Sequence, residues 1–96
     1  MSFSDRLTRA ADIARRAHNH QTRKGSDVPY LSHLFAVAAL VMESGGSEDQ
    51  VCAALLHDVL EDAGVGWSGE IREELGEHVL ALVVACTDGL PDAEGH

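Results

Sequence analysis

Four ionisable residues, His57, Asp58, Glu61 and Asp62, follow directly on the apolar run Val51-Cys52-Ala53-Ala54-Leu55-Leu56. Ionisable groups at the end of a core helix are costly unless something offsets their desolvation. On a continuous helix, residues four apart share a face, so this spacing sets His57 over Glu61 and Asp58 over Asp62. A divalent cation would offset the cost. Imidazole with carboxylate suits Mn, Fe, Ni or Zn better than Mg or Ca, which prefer all-oxygen shells. A second imidazole, His33, stands just before the apolar stretch Leu34 to Met42. In a helical hairpin the start of that helix approaches the end of the next, so His33 can meet His57 and Asp58. Taken singly, His33 is an ordinary structural histidine and His-Asp a common dipeptide. Their joint occurrence with Glu61-Asp62 points to a metal site. A basic pair, Arg23-Lys24, precedes His33 in a polar segment, where two cations can hold a phosphate or stack on a base.

The elements that must position these residues are helical. The 96 residues hold one small domain, 45% hydrophobic but only 4% aromatic. A core of Ala, Leu and Val suits packed helices and fits a β-sandwich poorly. Ser4 caps a first helix, with Leu7, Ala10, Ala11, Ala14, Ala17 and His18 recurring near a 3.6 period to about Asn19. Residues 20–30 form a loop marked by Gly25 and Pro29. A second helix, about Ser32 to Ser44, is apolar on most sides and belongs in the middle of a bundle. Ser47-Glu48-Asp49-Gln50 fits a capping box that starts the third. Ser68 caps a short fourth helix, about Gly69 to Leu75. A fifth covers about Glu77 to Thr87, stopped by Asp88-Gly89-Leu90-Pro91. The fold class is all-α, a bundle of about five helices.

Charge is unevenly placed. Residues 1–24 carry six cations against two carboxylates, a formal +4, and residues 25–96 one cation against 14, a formal −13. An acidic body argues against binding an extended nucleic acid, which needs clustered cations. A basic end facing an acidic centre suits an anionic ligand beside a metal, although Arg6 and Arg9 fit a solvated helix face. Cys52 and Cys86 lie 34 residues apart in apolar surroundings and are expected to be buried thiols. No apolar stretch is long enough for a membrane span, and the first residues lack the order of a signal peptide, so a cytoplasmic protein is expected.

Three stretches together carry a resemblance. They are Ala17-His18-Asn19-His20-Gln21-Thr22-Arg23-Lys24-Gly25, then Val28-Pro29-Tyr30-Leu31-Ser32-His33, then Ala53-Ala54-Leu55-Leu56-His57-Asp58-Val59-Leu60-Glu61-Asp62. Over about residues 6–90 the chain resembles the HD-superfamily hydrolase domain of the RelA/SpoT family. The short stand-alone members, the small alarmone hydrolases and metazoan SpoT homologues, are the most similar type. The resemblance implies an HD-domain helical bundle that removes the 3′-pyrophosphate of guanosine 3′,5′-bis(diphosphate), ppGpp. It implies that His33, His57 and Asp58 are metal ligands, usually of manganese. By the same resemblance, Glu61 and Asp62 position and activate the attacking water, and Arg23 and Lys24 contact the guanine or its phosphates. The implied partner is a guanine nucleotide.

Two departures from the family pattern stand out. Relatives carry a fourth metal ligand, an Asp in a later L-A-D-[RK]-L-x-N helix, and this chain has no such motif; Asp88 matches a different segment. Helix two begins His33-Leu34 where relatives have His-Pro, which forgoes a favoured proline but not the chemistry. The expected organisation is a single domain over residues 1–93, the first part of the family domain, with 94–96 resembling the start of a histidine tag. Missing helices would leave apolar faces of helices two, three and five partly uncovered, and a homodimer is one way to cover them. Other readings on the same scaffold are a 5′-nucleotidase or NADPH phosphatase, and a non-catalytic module that binds nucleotide or a partner chain.

Overall fold

Ser4 and Ser47 open two helices in the way their hydroxyls allow. In the computed structural model, which describes residues 4–86, Ser4 Oγ accepts from the Arg6 amide and starts α1 (Asp5–Ala17). Helix α2 spans Leu31–Glu43. The capping box forms in full: Ser47 Oγ accepts from the Gln50 amide, Gln50 Oε1 accepts from the Ser47 amide, and α3 (Glu48–Leu56) follows. Helices α4 (Ser68–Leu75) and α5 (Glu77–Cys86) complete the bundle. The only extended pairing among the described residues is one isolated bridge, Thr22 to Pro29. The all-α class and the five helices are as the sequence implies. Ser68 departs from it: its hydroxyl donates to the Val65 carbonyl, and Trp67, with no side-chain cap, takes the position before α4. Thr87, Asp88 and residues 94–96 lie outside the described residues.

Helix α3 is the centre. All six residues from Val51 to Leu56 are buried, and α1, α2 and α5 pack around them. The link from α2 is tight, because a Cβ on Gly46 would sit 2.5 Å from Val41 Cγ1 and 2.9 Å from the Val41 carbonyl oxygen. Gly45 just before it has φ +85°, a conformation that L side chains rarely adopt.

Helix α2 does not sit in the middle. It buries Leu34 and Ala38 toward its neighbours, while Phe35, Leu40 and Met42 are exposed. Among the described residues nothing packs on that face. On another side of the helix from Phe35 and Met42 runs an open apolar groove, lined by Val37, Leu40, Val41, Leu82, Cys86 and His57. Cys52 is buried as expected, and burial pushes its thiol up to about 11. Cys86 is exposed, because it ends α5 on the uncovered side.

Two arginines expected on a solvated face or left unassigned hold elements together. Arg6 pairs with Asp49 at 2.6 Å and Glu48 at 3.4 Å, and donates to the Leu75 carbonyl at 2.6 Å, so α1 is tied to α3 and α4. Arg16 pairs with Asp12 at 2.8 Å and with Glu70, and lies 5.5 Å from the Trp67 ring centroid.

The central position of α3 is testable. Leu55→Ala is expected to lower unfolding stability by about 2–5 kcal/mol. Leu40→Ala, at a side chain 64% exposed, is expected to change it by about 0.5 kcal/mol or less. Urea denaturation of both variants checks this, and equal losses would contradict the assignment of α3 as core.

Candidate metal centre

The polarity switch after Leu56 ends α3 instead of prolonging it. His57 Nδ1 lies 2.6 Å from the Ala54 carbonyl oxygen. A carbonyl only accepts, so Nδ1 carries a proton and donates. In a continuing helix that carbonyl would take the amide of Asp58. The chain instead enters a π-helical turn, Val59–Ala63, in which the Gly64 amide reaches the Val59 carbonyl at 3.2 Å. Buried Val59 and Leu60 anchor the turn, and Glu61 and Asp62 point to solvent. The Asp62 amide still reaches the Asp58 carbonyl at 2.8 Å, so one helical turn links that pair, but the four residues do not lie on one uninterrupted α-helix. Single π turns inside helical segments are frequent at functional sites.

The meeting of helix ends is formed. His33, in the first turn of α2, and His57 and Asp58, at the end of α3, offer one ligand atom each within 4.8 Å of one another, all half-buried. The His33 and His57 rings meet edge-on with centroids 5.7 Å apart. With Nδ1 committed to Ala54, only Nε2 of His57 is left to bind a partner, and that atom lies 3.0 Å from Asp58 Oδ2. Across that gap either a ring proton on Nε2 donates to the carboxylate, or a metal cation takes the lone pairs of both. Two imidazoles and a carboxylate form a donor set suited to a divalent transition metal.

Two further side chains brace the acidic residues. The Tyr30 hydroxyl donates to Asp58 Oδ2. Burial first, and then the Asp58 carboxylate, push that hydroxyl above the ordinary phenol range, so it remains a donor at neutral pH. Gln21 Nε2 donates to Asp62 Oδ2 at 3.3 Å. Gln21 and Tyr30 are the two ends of one loop, closed by the Tyr30 amide on the Gln21 carbonyl at 2.9 Å and the Arg23 amide on the Val28 carbonyl at 2.8 Å. Its tip turns at Arg23-Lys24-Gly25-Ser26, with Gly25 at φ +77° as a type II turn requires. Arg23 and Lys24 are exposed there and make no ion pair among the described residues. Sequence reasoning gave no role to His18, Gln21 or Tyr30. The available signals were their spacing, three apart for His18 and Gln21 and three before His33 for Tyr30.

The comparisons with known proteins agree with this arrangement. The family model described as "HD domain" matches residues 10–90. The chain belongs to the HD domain family. Within it, the chain is homologous to part of several RelA/SpoT-type enzymes. It is 38% identical over 84 residues to the guanosine-3′,5′-bis(diphosphate) 3′-pyrophosphohydrolase of Aquifex aeolicus, covering 88% of this chain and 12% of that protein. It is 38% identical over 78 residues to the bifunctional (p)ppGpp synthase/hydrolase SpoT of Escherichia coli K12, covering 81% of this chain and 11% of that one. It is 37% identical over 81 residues to the GTP pyrophosphokinase of Streptomyces coelicolor, covering 84% and 9%. The chain thus spans about a tenth of the length of these relatives.

Removing an outer partner of a metal ligand typically costs about 10–100-fold in metal affinity or activity. Tyr30→Phe, which keeps the ring and removes only the hydroxyl, is expected to weaken divalent-metal binding by about tenfold or more. Calorimetric titration checks it, and an unchanged affinity would show that Asp58 needs no such brace.

Proposed function

We propose that this chain is the metal-binding, hydrolytic part of a ppGpp 3′-pyrophosphohydrolase. The meeting of His33, His57 and Asp58 within 4.8 Å carries the reading. The substrate comes from the names of the relatives in Aquifex aeolicus and Escherichia coli. A divalent metal on these three residues, for which we assign manganese, would supply Lewis-acid activation and a more acidic water. Glu61 and Asp62, exposed on the turn that follows, take the proton of the water that attacks phosphorus. The bond between that phosphorus and the 3′ oxygen breaks, and ppGpp yields GDP and pyrophosphate. Arg23 and Lys24, unpaired at the tip of a loop whose two ends are pinned on Asp58 and Asp62, hold the guanine or neutralise the leaving pyrophosphate. A cytoplasmic location suits such a substrate. No helix among the described residues is long and apolar enough to cross a membrane.

One observation favours a second reading. Two of the matched relatives are named GTP pyrophosphokinases, not hydrolases. The second reading is a module of the same fold that binds a guanine nucleotide without turning it over.

With Mn2+ and ppGpp, the chain is expected to release pyrophosphate and not phosphate, and EDTA is expected to abolish the release. Asp62→Asn is expected to lower kcat by about 10²–10⁴-fold, the usual range for a lost general base. Arg23→Ala should raise KM more than it lowers kcat. Release of phosphate alone would sink the pyrophosphohydrolase reading. Saturable Mn2+ and nucleotide binding without turnover would favour the second one.

A further inference from the structure

His18 takes no part in the chemistry set out above, yet it is the only buried polar residue among those described, at 4% exposure. It closes α1 at the C-cap. Its ring packs on Tyr30, with centroids 5.1 Å apart. Its Nδ1 lies 2.7 Å from Gln21 Oε1, and its Nε2 is buried with no hydrogen-bond partner.

The protons of this cluster follow from one fixed point. A carboxylate only accepts, so the Gln21 amide must turn its NH2 toward Asp62 Oδ2. That leaves Gln21 Oε1, an acceptor, facing His18. The His18 ring must then carry its proton on Nδ1, and Nε2 in the neutral ring is a bare lone pair. This is the atom left without a donor in the core. A phenylalanine or leucine would fill the same space without an unpaired polar atom, which is costly when buried. Neither could supply the Nδ1–H that fixes the amide.

We propose that His18 is a positioning residue for Asp62. Its Nδ1–H locks the Gln21 amide, which holds Asp62 by one carboxylate oxygen and leaves the other free to take a proton from water. This rests on the hydrolytic reading of Asp62 given above.

Two measurements on the full chain test it. The first is the imidazole tautomer of His18 by two-bond proton–nitrogen NMR at about pH 8. The Nδ1–H form is expected in the wild type, shifting toward Nε2–H in Asp62→Leu, where the amide is free to turn. An Nε2–H wild type, or a tautomer indifferent to Asp62→Leu, overturns the relay. The second is kinetic. Gln21→Leu, half-buried on the loop, and His18→Phe, in the core, are each expected to lower kcat for pyrophosphate release by about tenfold. KM for ppGpp and Mn2+ affinity should stay within about twofold in both. An unchanged kcat in Gln21→Leu, or Mn2+ affinity falling in step with kcat, overturns the proposal. A wild type that releases no pyrophosphate removes the hydrolytic reading itself, and the tautomer still decides whether the His18–Gln21–Asp62 relay exists.

Discussion

The hydrogen bond from the His57 ring to the Ala54 carbonyl, 2.6 Å long, is the hinge of this molecule. Six consecutive residues before it are buried, and each large apolar side chain among them is worth about 1.5–3 kcal/mol of burial. That burial drives α3 through the centre of the bundle and delivers His57 and Asp58 to the place where α2 begins. By taking the last interior carbonyl with a side chain, His57 fixes its own tautomer and turns Nε2 toward Asp58. The backbone then leaves the α-helical ladder for the π turn, and Glu61 and Asp62 emerge into solvent. Core packing and site geometry are thus set by the same few residues.

The polar residues divide by what surrounds them. Arg6 and Arg16 belong to the basic end of the sequence, but they are spent on the acidic body: Arg6 against Asp49 and Glu48, Arg16 against Asp12 and Glu70. Such pairs, half-buried for Arg6 and more exposed for Arg16, are not large stabilisers when solvent reaches them, exposed ones typically contributing under about 1 kcal/mol, and their effect here is to fix how α1 lies on α3 and α4. Arg23 and Lys24 are left without carboxylate partners among the described residues, on a loop braced at both ends. Cations without carboxylate partners, on a loop whose two ends bond to Asp58 and Asp62, are what the proposed contact with an anionic substrate requires. Of the six cations at the basic end, Arg6 and Arg16 therefore help to build the bundle, Arg15 pairs locally with Asp12, Arg9 is exposed, and Arg23 and Lys24 are the two proposed for binding.

The apolar groove beside His57 has a different origin. Helix α2 is apolar on most sides, yet it has neighbours on only one of them, so Phe35, Leu40 and Met42 face outward. Exposed apolar area is then a property of the neighbours and not of the helix. The same holds for Cys86, whose apolar surroundings in sequence gave no sign that it ends α5 on the uncovered side.

Much was legible in the residues themselves. The five helices, the Ser4 cap, the capping box at Ser47 and the approach of His33 to His57-Asp58 are local or nearly local in cause. Hydrogen-bond caps and apolar period act within a few residues, and a short hairpin leaves little choice about which helix ends meet. What the tertiary structure alone decided are the matters that depend on competition for one acceptor or one face. These include the break after Leu56, where a side chain displaces a backbone donor, and the exposure of one side of α2. They also include the bracing of Asp58 by Tyr30 and of Asp62 by His18 through Gln21. Periodicity reports how apolar a face is, and cannot report what lies against it or which donor reaches a carbonyl first.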